Sequence, residues 1–168
     1  PFYTLARSIV GQQISVKAAH SVWKKLEKKC KKINAKKIKS THYMSFKSCG
    51  LSKQKISYLK NLSDAFLNKK INPRMWSKKT DQEIINELIL IKGIGKWTAE
   101  MYLIFSLCRP DVFPLDDIGM IKGLCKCYKL QYPINKDRLL KIGDKWRPYR
   151  SVATWYLWRS LDPIPVEY

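Results

Sequence analysis

The stretch Leu88–Ala99 reads LILIKGIGKWTA and is followed further along the chain by Leu115-Asp116-Asp117-Ile118. The first stretch decides the fold, because it places a tight turn between two helical segments. We expect one helix to end near Lys92 and the next to begin near Lys96. The glycines of the intervening Gly93-Ile94-Gly95 would supply positive φ and close backbone approach, and Ile94 would anchor the turn in the core.

This turn predicts a site for a phosphate group. The amides of Gly93, Gly95 and Lys96 would lie at a helix N-terminus, where amides lack partners within the helix and the helix dipole favours anions. Phosphate contacts position a protein on DNA without reading its sequence. An ordinary corner between two helices that happens to contain GxG is the alternative interpretation.

Composition narrows the class of protein. A chain of 168 residues can bury one core, or two small lobes that share an interface, so we expect a single functional unit. With 33 Lys and Arg against 13 Asp and Glu, the net charge of +20 indicates a polyanionic partner or a Lys-rich genome. Nine lysines lie between Lys24 and Lys39. We interpret this run as a solvated helix face and do not assign it to DNA contact.

Apolar residues recur at helical spacing along most of the chain, which predicts an all-α fold. Four helix starts are predicted, because Ser15, Ser52 and Asn135 are favoured N-cap residues and Thr80-x-x-Glu83 matches a capping box. Two sets of residues illustrate the buried faces that this spacing predicts: Val16, Ala19, Trp23, Leu26 and Cys30, and Ile56, Leu59, Leu62 and Phe66.

The five cysteines are odd in number and show no paired spacing, so we expect no disulfide scaffold. Cys125 and Cys127 could be combined with His20 or His42 as zinc ligands, but the spacing does not fit a standard site and buried thiols are commoner. We therefore expect no metal held by side chains. Without a long apolar run or a leader, the chain is expected to be soluble and intracellular. Pro1 in place of Met indicates a fragment.

The pattern Leu88-x-x-Ile91-Lys92-Gly93-Ile94-Gly95-Lys96-Trp97-Thr98-Ala99 resembles the helix-hairpin-helix of the HhH-GPD superfamily of base-excision DNA glycosylases, which carry a Gly/Pro-rich loop and an aspartate after the hairpin. Within that superfamily the chain is most similar, from about residue 3 to 160, to the 3-methyladenine DNA glycosylase II (AlkA) family. The stretches that carry this resemblance are Pro110–Asp117, Ile9–Ser15, Gly50-Leu51-Ser52 with Lys55 and Tyr58, and Trp146–Ser151 leading to Trp158.

The resemblance implies a compact multi-helix catalytic domain over residues 1–168, with the helix-hairpin-helix at about 82–107 and the active site in a cleft between two helical lobes. The N-terminal α/β domain of some members is not expected in this fragment. It implies a monofunctional DNA glycosylase of base excision repair that hydrolyses the N-glycosidic bond of alkylated purines, of the 3-methyladenine type, flipped out of duplex DNA. We expect a monomer without membrane contact, in the nucleoid or cytoplasm if bacterial and in the nucleus if eukaryotic.

The resemblance assigns catalysis to Asp117 and leaves a capping or structural role to Asp116. From spacing alone, capping of the following helix is the simpler account of both aspartates. A fixed carboxylate beside C1′ would stabilise the positive charge that builds on the sugar, and it could orient or deprotonate the attacking water. An alkylated purine that already carries positive charge needs no general acid to leave. No cofactor is expected, apart from a monovalent cation that relatives often hold at the hairpin carbonyls.

The family resemblance also implies roles for individual residues in DNA and base binding. The resemblance implies DNA phosphate binding by Gly93, Gly95, Lys96 and Thr98, a base pocket of Trp97, Tyr102 and Trp158, and an intercalating Gln13. Each of the three aromatic residues is equally compatible with core packing, and a buried or cap-forming Gln13 stays open. Trp97 stands where lyase-competent relatives carry the Schiff-base lysine, so we expect base hydrolysis without strand cleavage.

Two other functions compete with this interpretation. A nonenzymatic helix-hairpin-helix DNA-binding module would keep the hairpin, but it would be expected to have lost Asp117. A bifunctional glycosylase/lyase for oxidised bases would need a lysine where Trp97 stands. The iron–sulfur branch of the superfamily is disfavoured as well, because no cysteine follows Trp146 to supply a four-cysteine loop.

Overall fold

The computed structural model describes residues 1–162, and over this range every regular element is helical, which confirms the predicted all-α fold. The last six residues of the predicted domain lie outside the described range. The α-helices are α1 (Phe2–Gly11), α2 (Val16–Cys30), α3 (Ala35–Ser40), α4 (Tyr43–Ser48), α5 (Lys53–Leu67), α6 (Asp81–Ile89), α7 (Lys96–Phe105), α8 (Ile118–Cys127), α9 (Lys136–Gly143) and α10 (Arg150–Leu161), with short 3-10 helices at Pro73–Lys78 and Asp144–Trp146.

The chain divides into two compact units, Pro1–Ala99 and Glu100–Tyr168. The single catalytic domain over residues 1–168 stays a prediction. Among the helices described, none is long and apolar enough to cross a membrane.

In the first unit, α5 is the central helix and packs against α1 and α3. The predicted buried face of α5 is confirmed at Ile56, Leu59 and Leu62, which are at most 4% exposed. On α2 the prediction is wrong at Val16, which is 59% exposed. Val16 occupies the first turn of its helix, directly after the Ser15 cap, where the chain enters from solvent.

The helix starts follow the predicted capping residues. Ser15 and Ser52 accept hydrogen bonds from the third amide of α2 and α5, and Asn135 caps α9. Thr80 and Glu83 form the reciprocal capping box of α6. The lysines of the Lys24–Lys39 run are exposed on and around α2 and α3, as predicted for a solvated face.

In the second unit, the core lies between α8 and α10 and is closed by α9. Its buried apolar residues are Phe113, Met120, Leu124, Leu139 and Leu157. Gly123 allows α8 and α10 to cross closely, because a Cβ at this position would lie 2.3 Å from the carbonyl oxygen of Leu157. This close crossing fixes the start of α8 against α10.

The loop before α8 is anchored to the start of α10. Arg150 donates to both carboxylate oxygens of Asp111, at 2.7 and 2.8 Å, and Arg147 donates to Asp111 at 2.9 Å. Ser151 donates to the Arg109 carbonyl at 2.6 Å and accepts from the Val112 amide at 2.9 Å. Burial opposes the ionisation of Asp111, but the bonds and charge of Arg150 outweigh it and hold the pKa of this carboxyl below its ordinary value.

Candidate functional site

The first helix of the hairpin, α6, ends earlier than we predicted. Helix α6 ends at Ile89 rather than near Lys92, whereas α7 begins at Lys96 as predicted. A hydrogen bond of 2.9 Å from the Ile94 amide to the Ile91 carbonyl closes the turn. Ile91 and Ile94 are 5% and 4% exposed. The chain leaves the helix early because this turn buries both isoleucines, which confirms Ile94 as the anchor.

The two hairpin glycines serve different purposes. Gly93 has a φ of +110° and lies against Tyr58, whose Cγ would be 2.3 Å from an added Cβ. Gly95 is outside the positive-φ region, and a Cβ there would meet no atom within 4 Å. The prediction that the turn itself needs both glycines is therefore wrong for Gly95. Its missing side chain instead leaves open space at the N-terminus of α7.

This open space belongs to a groove of about 980 Å³ within the first unit. The groove lies between the hairpin, the α1–α2 connection and the start of α5. Five of the predicted DNA-contacting or pocket residues line it together: Gln13, Gly93, Gly95, Trp97 and Thr98. Trp97 is 43% exposed, whereas Thr98 is buried at 5% exposure. Lys96 is exposed at the same helix start.

Gln13 lies in the break between α1 and α2, as predicted. Its side chain is exposed, which excludes the buried glutamine that we had left open. Its φ of +57° places it in the left-handed region. Residues other than glycine rarely adopt this conformation, although Lys31, Lys69, Cys108 and Lys129 share it elsewhere in the described chain.

Two hydrogen bonds that the sequence analysis did not assign fix the chain around Gln13. The side-chain amide of Gln12 donates to the Gly93 carbonyl at 2.9 Å. The ammonium group of Lys55 donates to the Val10 carbonyl at 2.7 Å, and burial lowers the pKa of Lys55. Lys55 belongs to a stretch that carried the family resemblance, but nothing in the sequence indicated its partner.

In the second unit, Asp117 is the N-cap of α8 and is 8% exposed. Its Oδ1 accepts from the Met120 amide at 2.5 Å and from the Trp158 indole at 2.8 Å. The capping role that we left to Asp116 is therefore wrong. Asp117 directly precedes the first helical residue, and only a side chain at that position reaches the amides of the first turn. Asp116 instead forms an exposed ion pair with Lys136 at 2.7 Å.

The structure thus brings together two predicted site residues, Asp117 and Trp158. Phe105, which the sequence analysis missed, stacks on Trp158 with ring centroids 5.8 Å apart. Gly119, also missed, leaves room for the pair, since a Cβ there would lie 3.2 Å from Asp117 Oδ1 and 3.3 Å from Trp158 Cδ1. Tyr102 is 6% exposed in the same unit, and burial raises its pKa to about 12, so the phenol is neutral at pH 7.

Two N–H groups donate to the carboxylate of Asp117: the Met120 amide and the indole of Trp158, which stacks on Phe105. Among residues 1–162, no three His, Cys, Asp or Glu side chains cluster closely enough to hold a metal ion. The chemistry that these residues can support is electrostatic stabilisation of positive charge and positioning of a water molecule.

Comparison with known proteins places this site in a family. The model of the HhH-GPD superfamily base excision DNA repair proteins matches residues 6–148. The chain belongs to this superfamily. The match covers both the hairpin and Asp117, and it confirms the predicted family and fold.

Individual members of the superfamily are similar over nearly the whole chain. DNA-3-methyladenine glycosylase 1 of Schizosaccharomyces pombe is 33% identical over 164 residues, which are 95% of this chain and 72% of that protein. The crystal structure of a Bacillus halodurans DNA-3-methyladenine glycosidase is 32% identical with a TM-score of 0.89, covering 96% of this chain and 76% of the other. The S. pombe 3-methyladenine DNA glycosylase Mag1, in complex with abasic DNA, is 32% identical with a TM-score of 0.80, covering 95% and 79%.

Proposed function

We propose that this protein is a monofunctional DNA glycosylase of base excision repair that hydrolyses the N-glycosidic bond of alkylated purines, of the 3-methyladenine type, in duplex DNA. The observation that carries the proposal is the Asp117 carboxylate, buried beside the indole of Trp158 and held by two N–H donors. The S. pombe and B. halodurans relatives named for 3-methyladenine support the class of substrate.

The proposed reaction needs one anion at the sugar. As the bond between C1′ and the purine nitrogen breaks, its electron pair leaves with the base and positive charge develops on the sugar ring. Asp117 stabilises this charge more in the transition state than in the ground state, which is what accelerates the step. The oxygen of a water molecule then bonds to C1′, and the water proton passes to Asp117 and on to solvent. The alkylated purine departs without a general acid.

Capping α8 does not remove Asp117 from this role. A carboxylate offers about four acceptor positions, and the two hydrogen bonds described for Asp117 both end on Oδ1. The same bonds fix the direction of the side chain, and a fixed charge stabilises a transition state without reorganising during the reaction. Capping and catalysis are therefore compatible in one side chain.

We assign the base pocket to Trp158, with Tyr102 of the same unit as a further aromatic residue. The predicted pocket role of Trp97, which lies in the groove of the first unit, stays a prediction. The electron-rich face of an indole attracts a cationic base by stacking and cation–π contact. Phe105 supports the Trp158 ring from one side. Because an alkylated purine is cationic, this pocket would favour it over an undamaged base.

We assign DNA binding to the groove of the first unit. The amides at the start of α7, with Gly93, Gly95, Lys96 and Thr98, would hold a phosphate of the backbone. Gln13 would fill the gap left by the flipped nucleotide. Trp97 occupies the position of the lyase lysine, so the strand would stay intact after base release.

A monovalent cation at the hairpin carbonyls is part of the proposal, since such oxygens are suitable ligands for it. The Gly93 carbonyl accepts one hydrogen bond from Gln12 and the Ile91 carbonyl one from Ile94, which leaves each oxygen a second lone pair for a cation. We also propose that the protein acts as a monomer on genomic DNA, in the nucleoid of a bacterium or the nucleus of a eukaryote.

Incubation of the protein with duplexes that each carry one defined lesion tests the proposal. We expect release of 3-methyladenine, strand breaks only after alkali, and no covalent complex after borohydride treatment. A Trp97→Lys variant that does form this complex would support the position assigned to Trp97. Efficient borohydride trapping of the native protein would contradict the monofunctional assignment, and binding without base release would favour a nonenzymatic DNA-binding module.

A further inference from the structure

The Gln13 loop, defined as residues 10–15 from the last turn of α1 to the cap of α2, combines an exposed side chain with an unfavourable backbone conformation. Gln13 has a φ of +57° and an exposed side chain. A glutamine in the left-handed region is retained only when its surroundings fix it there. The conformation of Gln13 therefore depends on the residues that hold its loop.

Hydrogen bonds hold the loop on both sides of Gln13. Before it, Lys55 donates to the carbonyl of Val10 in the last turn of α1, and the side chain of Gln12 donates to Gly93 of the hairpin. After it, Ser15 caps α2 by accepting from the Ala18 amide at 3.3 Å. Gln13 thus lies on a short segment that is held by hydrogen bonds on both sides.

The helix that supplies Lys55 also supports the hairpin. Tyr58 of α5 lies directly under Gly93, and the side chain of Asn61 donates to the Lys92 carbonyl at 3.4 Å. Lys55, Tyr58 and Asn61 follow one another at intervals of three residues, which places them along one side of α5. The Gln13 loop and the phosphate-binding turn therefore rest on the same helix.

Lys55 differs in environment from an exposed lysine, whose charge is available to attract DNA. Its ammonium group is directed to a main-chain carbonyl, and burial lowers its pKa. Lys53, two residues earlier on α5, is exposed. The two lysines carry the same charge on the same helix, but only Lys55 has a described bond to the Gln13 loop.

We propose that Lys55 and Gln12 are positioning residues for nucleotide flipping: they hold Gln13 in its left-handed conformation and couple its loop to the hairpin that grips the phosphate. The inference rests on the proposed function, because it assumes that Gln13 occupies the gap in the duplex. Neither residue contacts the reacting bond, and each acts through Gln13.

The test compares Lys55→Met and Gln12→Met with the matched control Lys53→Met, which removes an equal charge from α5. Flipping is followed by the fluorescence of 2-aminopurine placed beside the lesion, and excision by single-turnover rates at saturating protein. We expect Lys55→Met and Gln12→Met to lower the excision rate by about tenfold and to reduce the fluorescence rise. Affinity for undamaged duplex should stay within about twofold of native for all three variants, since the phosphate contacts remain.

A double-mutant cycle distinguishes positioning from a general loss of structure. In a Gln13→Ala background, Lys55→Met should change the excision rate by less than about twofold, because the residue it positions is gone. An equal loss with and without Gln13, or a native rate in both variants, would overturn the inference. Should Lys55→Met fail to fold, Gln12→Met completes the same cycle. Absence of both excision and flipping in the native protein would instead contradict the proposed function.

Discussion

The two units of this protein differ sharply in charge. Pro1–Ala99 carries 22 Lys and Arg against 5 Asp and Glu, whereas Glu100–Tyr168 carries 11 against 8. The net charges are +17 and +3. The positive unit contains the hairpin groove, and the nearly balanced unit contains Asp117. Attraction of a polyanion needs many positive charges, whereas stabilising a cation at C1′ needs a single fixed negative one.

Under the proposed function, this contrast assigns DNA binding and base cleavage to different units of the chain. The groove residues offer backbone amides and open space, and they offer no carboxylate. Asp117 is held within the second unit by Met120 and Trp158. Substitutions in one unit should therefore alter affinity or excision without altering the other property.

The largest effect is expected from Asp117→Asn. The amide can still accept from Met120 and Trp158, so the cap survives while the negative charge is lost. We expect the single-turnover excision rate to fall by about 10²–10³-fold, with affinity for undamaged duplex unchanged. Asp116→Asn is the matched control, because its side chain is 55% exposed and forms a surface ion pair with Lys136. Excision by the control should equal that of the native protein.

A second effect concerns folding of the hairpin. Gly93→Ala would force a Cβ into Tyr58 at a φ of +110°, and we expect it to lower the free energy of unfolding by about 3 kcal/mol. Gly95→Ala meets no atom within 4 Å and should unfold at the same denaturant concentration as the native protein. Urea unfolding followed by circular dichroism measures both, and equal destabilisation by the two changes would refute the distinct roles of these glycines.

A smaller effect is expected at Arg150 and Asp111, which anchor the loop before α8 to α10. Arg150→Met leaves the partly buried Asp111 with fewer donors, and we expect it to lower the free energy of unfolding by about 2 kcal/mol. The folded-state pKa of Asp111 lies below its ordinary value of 3.8. The stabilisation is therefore complete above the unfolded pKa and is lost as pH falls through the folded one. The difference between native and variant should shrink below about pH 4, and a constant difference would contradict the pair as its cause.

Much of the fold could be predicted because local signals and the final structure agree. Ser15, Ser52, Asn135 and the Thr80–Glu83 box all begin helices, since N-capping depends only on neighbouring residues. The end of α6 was harder to predict. Its position at Ile89 depends on burying Ile91 and Ile94 together, which is a property of packing and not of helix propensity.

The sequence named the residues of the candidate site, but it did not predict the contacts between them. Asp117 and Trp158 were singled out from the family pattern, yet only the structure joins them and makes Asp117 the cap of α8. Lys55 was quoted within a similar stretch without a role, because its partner Val10 is distant in sequence. Gly95 was assigned to the turn, although only the surrounding space reveals that the turn does not require it.

The most direct test of the separation measures two quantities on three proteins. The native protein, Asp117→Asn and Gly95→Ala are each assayed for affinity to undamaged duplex and for single-turnover excision of 3-methyladenine at saturating protein. We predict native affinity with lost excision for Asp117→Asn, and about tenfold weaker affinity with a native excision rate for Gly95→Ala, because a Cβ would intrude on the phosphate. A native excision rate in Asp117→Asn would contradict the central claim.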